Sequence, residues 1–392
     1  MATVFTTSII PNNARNSTSK SPVRITLIAA LFSFLFNLVS CSPKTDAVAP
    51  EKETTTFTAS SLRAIAPGDS NNTLKAVASF PIGASINPQL LASNARYKSV
   101  IQENCNSITT ENSAKMNRIQ PKAGQFNWTD TDALVNFAKQ SNMKVHGHTL
   151  IWHNAVPDWV TNFQGDSLAW EKLMKTHIQT VVGHYKGKIK SWDVVNEAFE
   201  ADGTLKKSIW YQHLGPDYIA RCFQYAHEAD PQALLFYNDN NSAYLPKRSD
   251  AVFAMLKNLK QRNIPINGVG LQMHITVSTP EAALSSVISQ YASTGLLIHI
   301  SELDIRMNPN LSTTFVLTDA IKNAHALKYK AIAKIYKSIV TTGQQFGITT
   351  WNVGDNDSWL LTESKSEDHP LLFDKDYSRK LSFYGFMQGL SE

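Results

Sequence analysis

Cysteine is scarce in this sequence, as are long membrane-spanning runs and any strong excess of one charge. Three cysteines among 392 residues exclude a disulfide-rich scaffold. The formal net charge of +5 is partly carried by Arg15, Lys20 and Arg24 near the N-terminus. The remainder is close to neutral, so the sequence has no basic footprint for nucleic acid. With 43% hydrophobic and 18% charged residues, the composition is typical of a soluble globular protein.

The N-terminal segment has the pattern of an export signal. Basic residues precede an apolar run over Ile25–Val39, which is shorter than the roughly 20 residues of a membrane span and fits a signal peptide. The run ends at Leu38-Val39-Ser40-Cys41, which resembles a bacterial lipobox. We therefore expect residues 1–40 to be a lipoprotein signal peptide and Cys41 to be lipidated, anchoring the protein at the bacterial cell envelope or surface. The alternative is an ordinary signal peptide with a chance cysteine, which would give a secreted protein, or a short anchor.

A polar stretch separates this segment from the rest of the chain. Residues 41–75 are rich in Thr, Ser, Ala, Pro and Asn and lack apolar periodicity, as expected for a flexible linker. The two cysteines that follow, Cys105 and Cys222, lie near helical patterns. We predict that both are buried free thiols.

From residue 76 onwards, short apolar runs alternate with amphipathic stretches. We predict strands over Pro81–Asn87, Asn106–Asn112, Lys144–His153, Lys190–Glu197, Leu234–Asp239, Gly268–His274, Leu296–Ile305 and Gly347–Asp355. Helical periodicity lies between them, and a final helix is expected from about Ser378. This alternation predicts an α/β fold, a single (β/α)8 TIM barrel over residues 76–392. The alternative, a doubly wound sheet, calls for a glycine-rich phosphate loop after the first strand, and the sequence has none there.

The polar residues of these runs are concentrated at one end. Nearly every predicted strand finishes with polar or aromatic side chains, namely Glu111-Asn112, His148 to His153, Asn196-Glu197, Asn238-Asp239, Gln272 with His274, Glu302 with Asp304, and Trp351. In a (β/α)8 barrel the carboxyl ends of the strands ring one face, where active sites are found. We therefore expect these side chains to surround a common site.

Two of the strand ends are glutamates, Glu197 and Glu302. Cleavage of a glycosidic bond needs a proton for the leaving oxygen and stabilisation of an oxocarbenium-like centre, and two carboxyl groups supply both. We interpret Glu197 as the general acid and base, and Glu302 as the nucleophile. A single glutamate at a strand end is more often part of a surface ion pair. The shared placement of the polar ends is what favours catalysis here.

Three residues are predicted to support the two glutamates. Asn196, directly before Glu197, is placed to reach a sugar 2-hydroxyl. His274 would keep Glu302 ionised and oriented through a histidine–carboxylate contact. Asp304 would steady the imidazole of that histidine.

Three histidines in one run, His146, His148 and His153, raise the alternative of a metal site. His146 and His148 share a strand face, but no third ligand follows at a recognised spacing, so we expect neither a metal nor a cofactor. A lone histidine such as His148 is more often a satisfied core residue. Asp193 is interpreted as a structural hydrogen-bonding group.

Six segments together resemble the family 10 glycoside hydrolases, chiefly endo-β-1,4-xylanases, over nearly all of residues 80–390. These segments are Thr109–Lys115, Gly147–His153, Trp192–Ala198, Gly270–His274, Ser301–Ile305, and Asp355 with Ser358-Trp359. Six segments in the family's order make a specific signal. The resemblance implies retaining endo-hydrolysis of β-1,4-xylosidic linkages in xylan by double displacement. It implies xylan and xylo-oligosaccharides as ligands, and nothing in the sequence calls for more than a monomer.

The resemblance also implies three groups of sugar-binding residues. The sugar two places from the cut, on the non-reducing side, would be hydrogen-bonded by Glu111, Asn112 and Lys115. The sugar under attack would be contacted by His148, Asn196 and Gln272. That site would be walled by Trp152, Trp351 and Trp359. A bulky indole at the last of these positions would exclude the hydroxymethyl group of glucose.

Several positions depart from the family pattern. Ser113-Ala114 replaces a Glu-Met pair behind Glu111 and Lys115. Asn240 stands where a tyrosine commonly helps to bind the leaving-side sugar, and Asn352 stands where glycine is common. We expect these changes to affect the affinity of individual sugar subsites and to leave the two catalytic carboxylates intact.

Two other functions are compatible with these residues. A retaining β-glucanase or aryl-glycosidase of the same family would keep both carboxylates and change the sugar. A xylan-binding lipoprotein without activity is the second alternative, motivated by the changes near Glu111. In each case the chain would reach a membrane only through the lipid anchor.

Overall fold

The computed structural model describes residues 72–240, 243–364 and 366–392, the side chains of 362–364 excepted. The predicted signal peptide, Cys41 and most of the predicted linker lie outside these residues. No helix within the described ranges is both long and apolar enough to cross a membrane. Cys105 and Cys222 are buried free thiols, as predicted.

The described residues form ten β-strands. They are β1 Ile82–Ser85, β2 Ser107–Thr109, β3 Lys144–Gly147, β4 Ile151–Trp152, β5 Ser191–Asn196, β6 Leu234–Asn240, β7 Gly268–Gln272, β8 His274–Thr276, β9 Leu297–Arg306 and β10 Gln345–Thr350. Every predicted run contains a strand, but the run over 144–153 breaks after Gly147. It breaks because the backbone N–H of His148 donates to the hydroxyl oxygen of Thr110 at 2.9 Å instead of to a neighbouring strand.

Eight of these strands close a parallel barrel. The order around the ring is β10-β1-β2-β3-β5-β6-β7-β9, and β9 pairs back with β10. The short β4 adds to β5, and β8 adds to β9. The predicted (β/α)8 barrel is confirmed, and the doubly wound alternative is wrong because its sheet would be open. In this ring β2 and β7 lie opposite each other.

Helices connect the strands on the outside of the ring, as in other barrels of this class. Within the described ranges they are α1 Leu74–Val77, α2 Pro88–Ser93, α3 Ala95–Asn104, α4 Met116–Ile119, α5 Thr129–Gln140, α6 Asp158–Thr161, α7 Ser167–His184, α8 Ile209–Leu214, α9 Tyr218–Ala229, α10 Pro246–Gln261, α11 Glu281–Ala292, α12 Asp319–Ile339, α13 Trp359–Ser364 and α14 Leu381–Ser391. The final helix begins later than predicted, because the N–H of Ser378 bonds the Asp374 carboxylate at 2.8 Å within a turn.

Aromatic and imidazole rings fill the barrel towards the amino ends of its strands. The ring centroids of His146 and His299 are 5.0 Å apart, and those of Phe236 and Phe346 are 4.5 Å apart. All of these rings except that of Phe346 are buried. The rings close the barrel from below, so the space at the carboxyl ends is a cleft with a floor.

Register shifts occur next to both predicted glutamates. The pairing of β5 with β6 shifts between Asp193 and Val195, and the pairing of β9 with β10 shifts next to Leu303. Such bulges re-aim the side chains that follow them. Asn196 and Glu197, although adjacent in sequence, both line the cleft, because Glu197 follows the end of β5 with a φ of 55°.

Candidate active site

Glu302 lies within β9 and is buried, with 5% of its surface exposed. Each of its carboxylate oxygens has a partner. Oε1 accepts a hydrogen bond from Nδ2 of Asn238 at 2.7 Å, and Oε2 lies 3.1 Å from Nε2 of His274. Two-sided anchoring of this kind fixes the direction of a carboxylate.

His274 joins Glu302 to a second acid. Its Nδ1 lies 2.8 Å from Oδ2 of Asp304, so the predicted chain of Glu302, His274 and Asp304 is present in the structure. Burial works against charging the imidazole, but the two carboxylates outweigh it and raise the pKa of His274 to about 10. A histidine that is protonated at neutral pH can donate a hydrogen bond from each ring nitrogen, one towards Asp304 and one towards Glu302.

Asp304 also holds one of the predicted wall residues. The indole N–H of Trp359 donates to Oδ2 of Asp304 at 2.7 Å. The centroids of the Trp359 and His274 rings are 4.9 Å apart. One buried carboxylate oxygen therefore orients both the histidine beside Glu302 and the tryptophan beside the sugar site.

Glu197 directly follows β5 in a left-handed backbone conformation, with φ of 55°. A residue other than glycine adopts this region at a cost of about 1–2 kcal/mol. The cost is offset locally, because the N–H of Glu197 bonds the carbonyl of Asn238 at 2.9 Å. Oε1 of Glu197 accepts from Gln272 at 3.2 Å and from Asn196 at 3.3 Å.

Asn238 connects the surroundings of the two glutamates. Its Nδ2 donates to Oδ1 of Asn196 at 2.9 Å as well as to Glu302, and its Oδ1 accepts from Ser301 at 2.6 Å. Gly270 stands opposite Asn238 in the β6–β7 register, and a Cβ there would lie 2.2 Å from the Asn238 amide oxygen. Our sequence interpretation noted Asn238 as a strand end but gave it no role; the glycine on the neighbouring strand was the available signal.

The three residues predicted to bind the more distant sugar lie together around Glu111, just after β2. Asn112 donates to Glu111 at 3.0 Å, and Lys115 donates to Asn112 at 2.7 Å. The Lys115 ammonium lies 4.8 Å from the centroid of the Trp152 ring and 5.8 Å from that of Trp351. Burial lowers the pKa of Lys115, and the carboxylates nearby oppose this shift. The residues form a compact polar end to the cleft.

The substituted pair Ser113-Ala114 is buried behind this subsite. The Ser113 hydroxyl donates to the carbonyl of Thr110 at 3.1 Å. Burial also raises the pKa of Glu111, and the Lys115 charge opposes this shift. The two small residues are thus fully accommodated in this chain.

The buried carboxylate of Asp193 pairs with two histidines below the cleft. Its Oδ2 lies 2.9 Å from Nδ1 of His148, and its Oδ1 lies 3.0 Å from Nε2 of His146. Burial alone would raise the pKa of Asp193, but the two histidines outweigh it and hold this pKa far below its usual range. Asp193 therefore does have the structural role expected of it, and it fixes the ring of His148 at the cleft.

The three histidines considered as a metal site do not all contact the same partner. His146 and His148 share Asp193, while Nε2 of His153 lies 3.3 Å from the Lys206 ammonium. Among the residues described, no group of three or more His, Cys, Asp or Glu side chains has the arrangement of a metal site.

All of the predicted site residues within the described ranges lie around one cleft of about 690 Å³. They are Glu111, Asn112, Lys115, His148, Trp152, Asn196, Glu197, Gln272, His274, Glu302, Asp304, Trp351 and Trp359. A larger cavity of about 1030 Å³ borders Asp355, His369 and Lys380 and contains none of these residues. Asn352 sits behind the wall, where its side-chain oxygen accepts from the N–H of Trp359 at 3.1 Å.

A closed barrel with two buried glutamates and a tryptophan wall at the carboxyl ends of its strands has the architecture of a glycoside hydrolase. A family model described as glycosyl hydrolase family 10 matches residues 71–389. The chain belongs to this family.

Relatives of the chain carry xylanase names. It is 38% identical over 326 residues to endo-1,4-beta-xylanase A of Caldicellulosiruptor sp. (strain Rt8B.4), a match covering 79% of this chain and 46% of that protein. It is 36% identical over 318 residues to the endo-1,4-beta-xylanase of Geobacillus stearothermophilus, covering 78% of this chain and 94% of that protein. The chain thus spans about half of the first relative and nearly all of the second.

Solved structures share the fold. Xylanase 10B from Thermotoga petrophila RKU-1, in complex with xylobiose, superposes with a TM-score of 0.76 at 33% identity. The match covers 81% of this chain and 97% of that chain.

Proposed function

We propose that this chain is an endo-acting xylanase that hydrolyses β-1,4-xylosidic linkages with retention, using Glu302 as nucleophile and Glu197 as general acid and base. The observation that carries the proposal is the unequal anchoring of the two carboxylates. Glu302 is bound on both oxygens, by Asn238 at 2.7 Å and His274 at 3.1 Å. Glu197 accepts its described hydrogen bonds on Oε1 alone, while the Lys206 ammonium lies 3.9 Å from Oε2 and leaves that oxygen able to exchange a proton.

The first step breaks the glycosidic bond. A carboxylate oxygen of Glu302 attacks C1 of the sugar from one face, while Glu197 gives its proton to the leaving oxygen on the other face. The products are an alcohol and a glycosyl ester on Glu302. The protonated His274, with Nε2 at 3.1 Å from Oε2, orients the nucleophile for this step.

The second step returns the enzyme to its starting state. Glu197, now a carboxylate, removes a proton from water, and the water oxygen attacks C1 and displaces Glu302. One water is consumed, and two inversions at C1 give net retention. Glu197 ends the cycle protonated, without moving from its position.

The shape of the cleft favours xylose over glucose. Trp359 is held by two hydrogen bonds, from its indole to Asp304 and from its backbone N–H to Asn352. An indole held at both points cannot easily change its conformation to make room for the hydroxymethyl group of glucose. Glu111, Asn112 and Lys115 supply the polar contacts proposed for the more distant sugar.

Product stereochemistry tests the mechanism. The full chain is incubated with xylohexaose, and the anomeric protons of the new reducing ends are followed by NMR before mutarotation. We expect the β-anomer to appear first. Initial release of the α-anomer would mean inversion and would contradict the roles given to the glutamates.

Azide rescue tests the assignment of each glutamate separately. With an aryl β-xylobioside, Glu302→Ala should lose nearly all activity, and added azide should give the α-xylobiosyl azide by a single displacement. Glu197→Ala should still form the glycosyl ester and give the β-azide by two displacements. If Glu302→Ala gave the β-azide and Glu197→Ala the α-azide, the two roles would be reversed. If the wild type were no more active than Glu302→Ala, a binding protein would be favoured.

The choice of sugar needs its own comparison. Initial rates on xylan, carboxymethyl cellulose and mixed β-glucan are measured with equal enzyme. A clear preference for either glucan would overturn the xylanase proposal in favour of a β-glucanase.

We also propose that the protein is a lipoprotein of the bacterial envelope, with residues 1–40 as signal and 41–75 as linker to the catalytic barrel. The support is the Leu38–Cys41 motif after an apolar run. In a bacterial host, labelled palmitate should be incorporated into wild type and not into Cys41→Ser. Release of unlabelled wild type into the medium would instead indicate a secreted enzyme.

A further inference from the structure

The cleft extends past the two glutamates along a wall made by β8 and the end of β9. These strands pair in parallel, with His274 opposite Asp304 and Thr276 opposite Arg306. Successive side chains of a strand point to opposite faces, so Arg306 follows Asp304 on the side that faces the cleft. Arg306 and Thr276 both line it.

This wall lies at the opposite end of the cleft from Glu111. Glu111 follows β2, while β8 continues from β7, and β2 and β7 are opposite each other in the ring. If the proposed function holds, a chain bound at Glu111 through its non-reducing side crosses the catalytic glutamates. Its leaving part then lies against Thr276 and Arg306.

Arg306 is a half-buried cation with little compensation from the protein. Its side chain is 19% exposed, and its nearest described acid is Asp368, with Nε and Oδ2 separated by 3.8 Å. That distance is too long for a hydrogen bond. Over the described ranges, the guanidinium of Arg306 donates no hydrogen bond, and Oδ2 of Asp368 likewise has no hydrogen-bond partner.

Asp368 meets Arg306 only at this longer distance, and its other oxygen is already occupied. Oδ1 accepts from the backbone N–H groups of Met307 at 2.8 Å, Asn308 at 3.3 Å and His369 at 2.8 Å. Burial also raises the pKa of Asp368. The guanidinium of Arg306 therefore keeps donors for a group that enters the cleft.

Tyr244 adds an aromatic surface at the same end. It is 41% exposed and lines the cleft. Its hydroxyl hydrogen-bonds the hydroxyl of Thr279, and that hydroxyl oxygen accepts from the backbone N–H of Thr276 at 3.0 Å. The ring is thus tethered to the wall, and an exposed aromatic ring suits the apolar face of a sugar.

We propose that the leaving side of the cleft recognises an acidic branch on the xylan chain, with Arg306 binding the carboxylate of a glucuronosyl substituent and Tyr244 supporting the xylose that carries it. A planar guanidinium can pair with a carboxylate through two parallel hydrogen bonds. A neutral arabinosyl branch offers no such partner. Arg306 is therefore a specificity-determining residue that makes an acidic branch favourable.

The experiment compares three xylo-oligosaccharides of equal backbone length: one unbranched, one with a single glucuronosyl branch, and one with a single arabinosyl branch. For each, kcat/KM is measured with the full-length wild type and with Arg306→Gln. We expect the variant to lose about tenfold or more on the glucuronosyl substrate and to stay within about threefold on the other two. Arg306→Lys should retain part of the preference, since it keeps the charge and loses the fork.

Two further measurements distinguish binding of the glucuronosyl carboxylate by Arg306 from a purely structural pairing of Arg306 with Asp368. Raising the NaCl concentration should reduce the wild-type preference for the acidic substrate and leave neutral rates unchanged. Arg262→Gln, which removes a surface arginine paired with Asp217, should change no rate ratio. Equal losses on all three substrates in Arg306→Gln would overturn the proposal. Failure of wild type on every xylo-oligosaccharide would instead reject the proposed function.

Discussion

Trp359 and Asp304 are joined by a hydrogen bond of 2.7 Å from the indole nitrogen to the carboxylate oxygen Oδ2. The same oxygen lies 2.8 Å from Nδ1 of His274. Substrate shape and nucleophile orientation therefore depend on one buried atom. A change at Asp304 should affect both properties together, whereas a change at Trp359 should affect mainly the first.

Replacement of Asp304 by Asn should lower kcat/KM on xylohexaose about 10–100-fold, the range found when a group that orients an active-site ligand is removed. The amide would remove the negative charge that helps to keep His274 protonated, and an amide nitrogen in place of Oδ2 would face the N–H groups of both His274 and Trp359. Trp359→Phe, which removes only the indole N–H and part of the ring, should lose less. If Asp304→Asn retained full activity, the coupling through Oδ2 would be excluded.

Asn238→Ser should reduce kcat about 10²-fold or more, a loss typical of removing one well-placed donor to a reacting group. Serine is too short to bridge Asn196 and Glu302, so Glu302 loses the 2.7 Å donor on Oε1. Steady-state kinetics on an aryl β-xylobioside gives the measurement, with the exposed Asn258→Ser as the matched control. Unchanged kcat in Asn238→Ser would show that His274 alone orients the nucleophile.

Gly147→Ala should destabilise the fold by about 3 kcal/mol, as expected for severe overpacking. A Cβ at this position would lie 2.1 Å from the ring of Trp192, which is fully buried. Gly183→Ala is the matched control, because its Cβ would meet no atom within 4 Å. As a helical glycine replaced by alanine, it should stabilise by about 0.5–1 kcal/mol. The free energy of unfolding in urea is the measurement, and an unchanged value in Gly147→Ala would show that the barrel accommodates the added methyl group.

The free energy of unfolding should fall as the pH rises, because His274 loses a proton. Its pKa is about 10 in the folded protein and about 6.5 when unfolded, so the folded state holds the extra proton between these values. The stabilisation is fully present below pH 6.5 and is lost as the pH passes through 10. At about 1.4 kcal/mol per pKa unit, the loss is several kcal/mol.

The measurement is the free energy of unfolding of wild type and His274→Asn at pH 6 and at pH 10.5. The gap between the two proteins should narrow at the higher pH. The exposed His227→Asn provides a control for general alkaline effects. Parallel curves for wild type and His274→Asn would mean that the imidazole is neutral in the folded protein.

The fold could be predicted because buried parallel strands give short apolar runs that helices separate. The polar ends of β5 and β9 also identified the face that carries the site. The exact ends of the strands and helices were harder to predict, since each end depends on a single contact. The strand β3 stops at Gly147 because the Thr110 hydroxyl takes the next N–H, and nothing local in the sequence indicates that choice.

The partners of the site residues were only partly predictable. The contact of His274 with Glu302 followed from strand periodicity and spacing. The bridging role of Asn238 did not, because it depends on the space left by Gly270 on the next strand. The link from Trp359 to Asp304 joins distant parts of the chain, and a side-chain contact of that kind is set only after the barrel closes.

The register shift between Asp193 and Val195 makes the site sensitive to the length of the chain as well as to its composition. The shift precedes both Asn196 and Glu197, so it sets which side of β5 each of them faces. Removing or adding one residue in this stretch would turn Asn196 away from the cleft and displace Glu197 with it, even if every catalytic residue were preserved. Diversification of this barrel by insertion should therefore be confined to its loops, while the few residues before Glu197 change only by substitution.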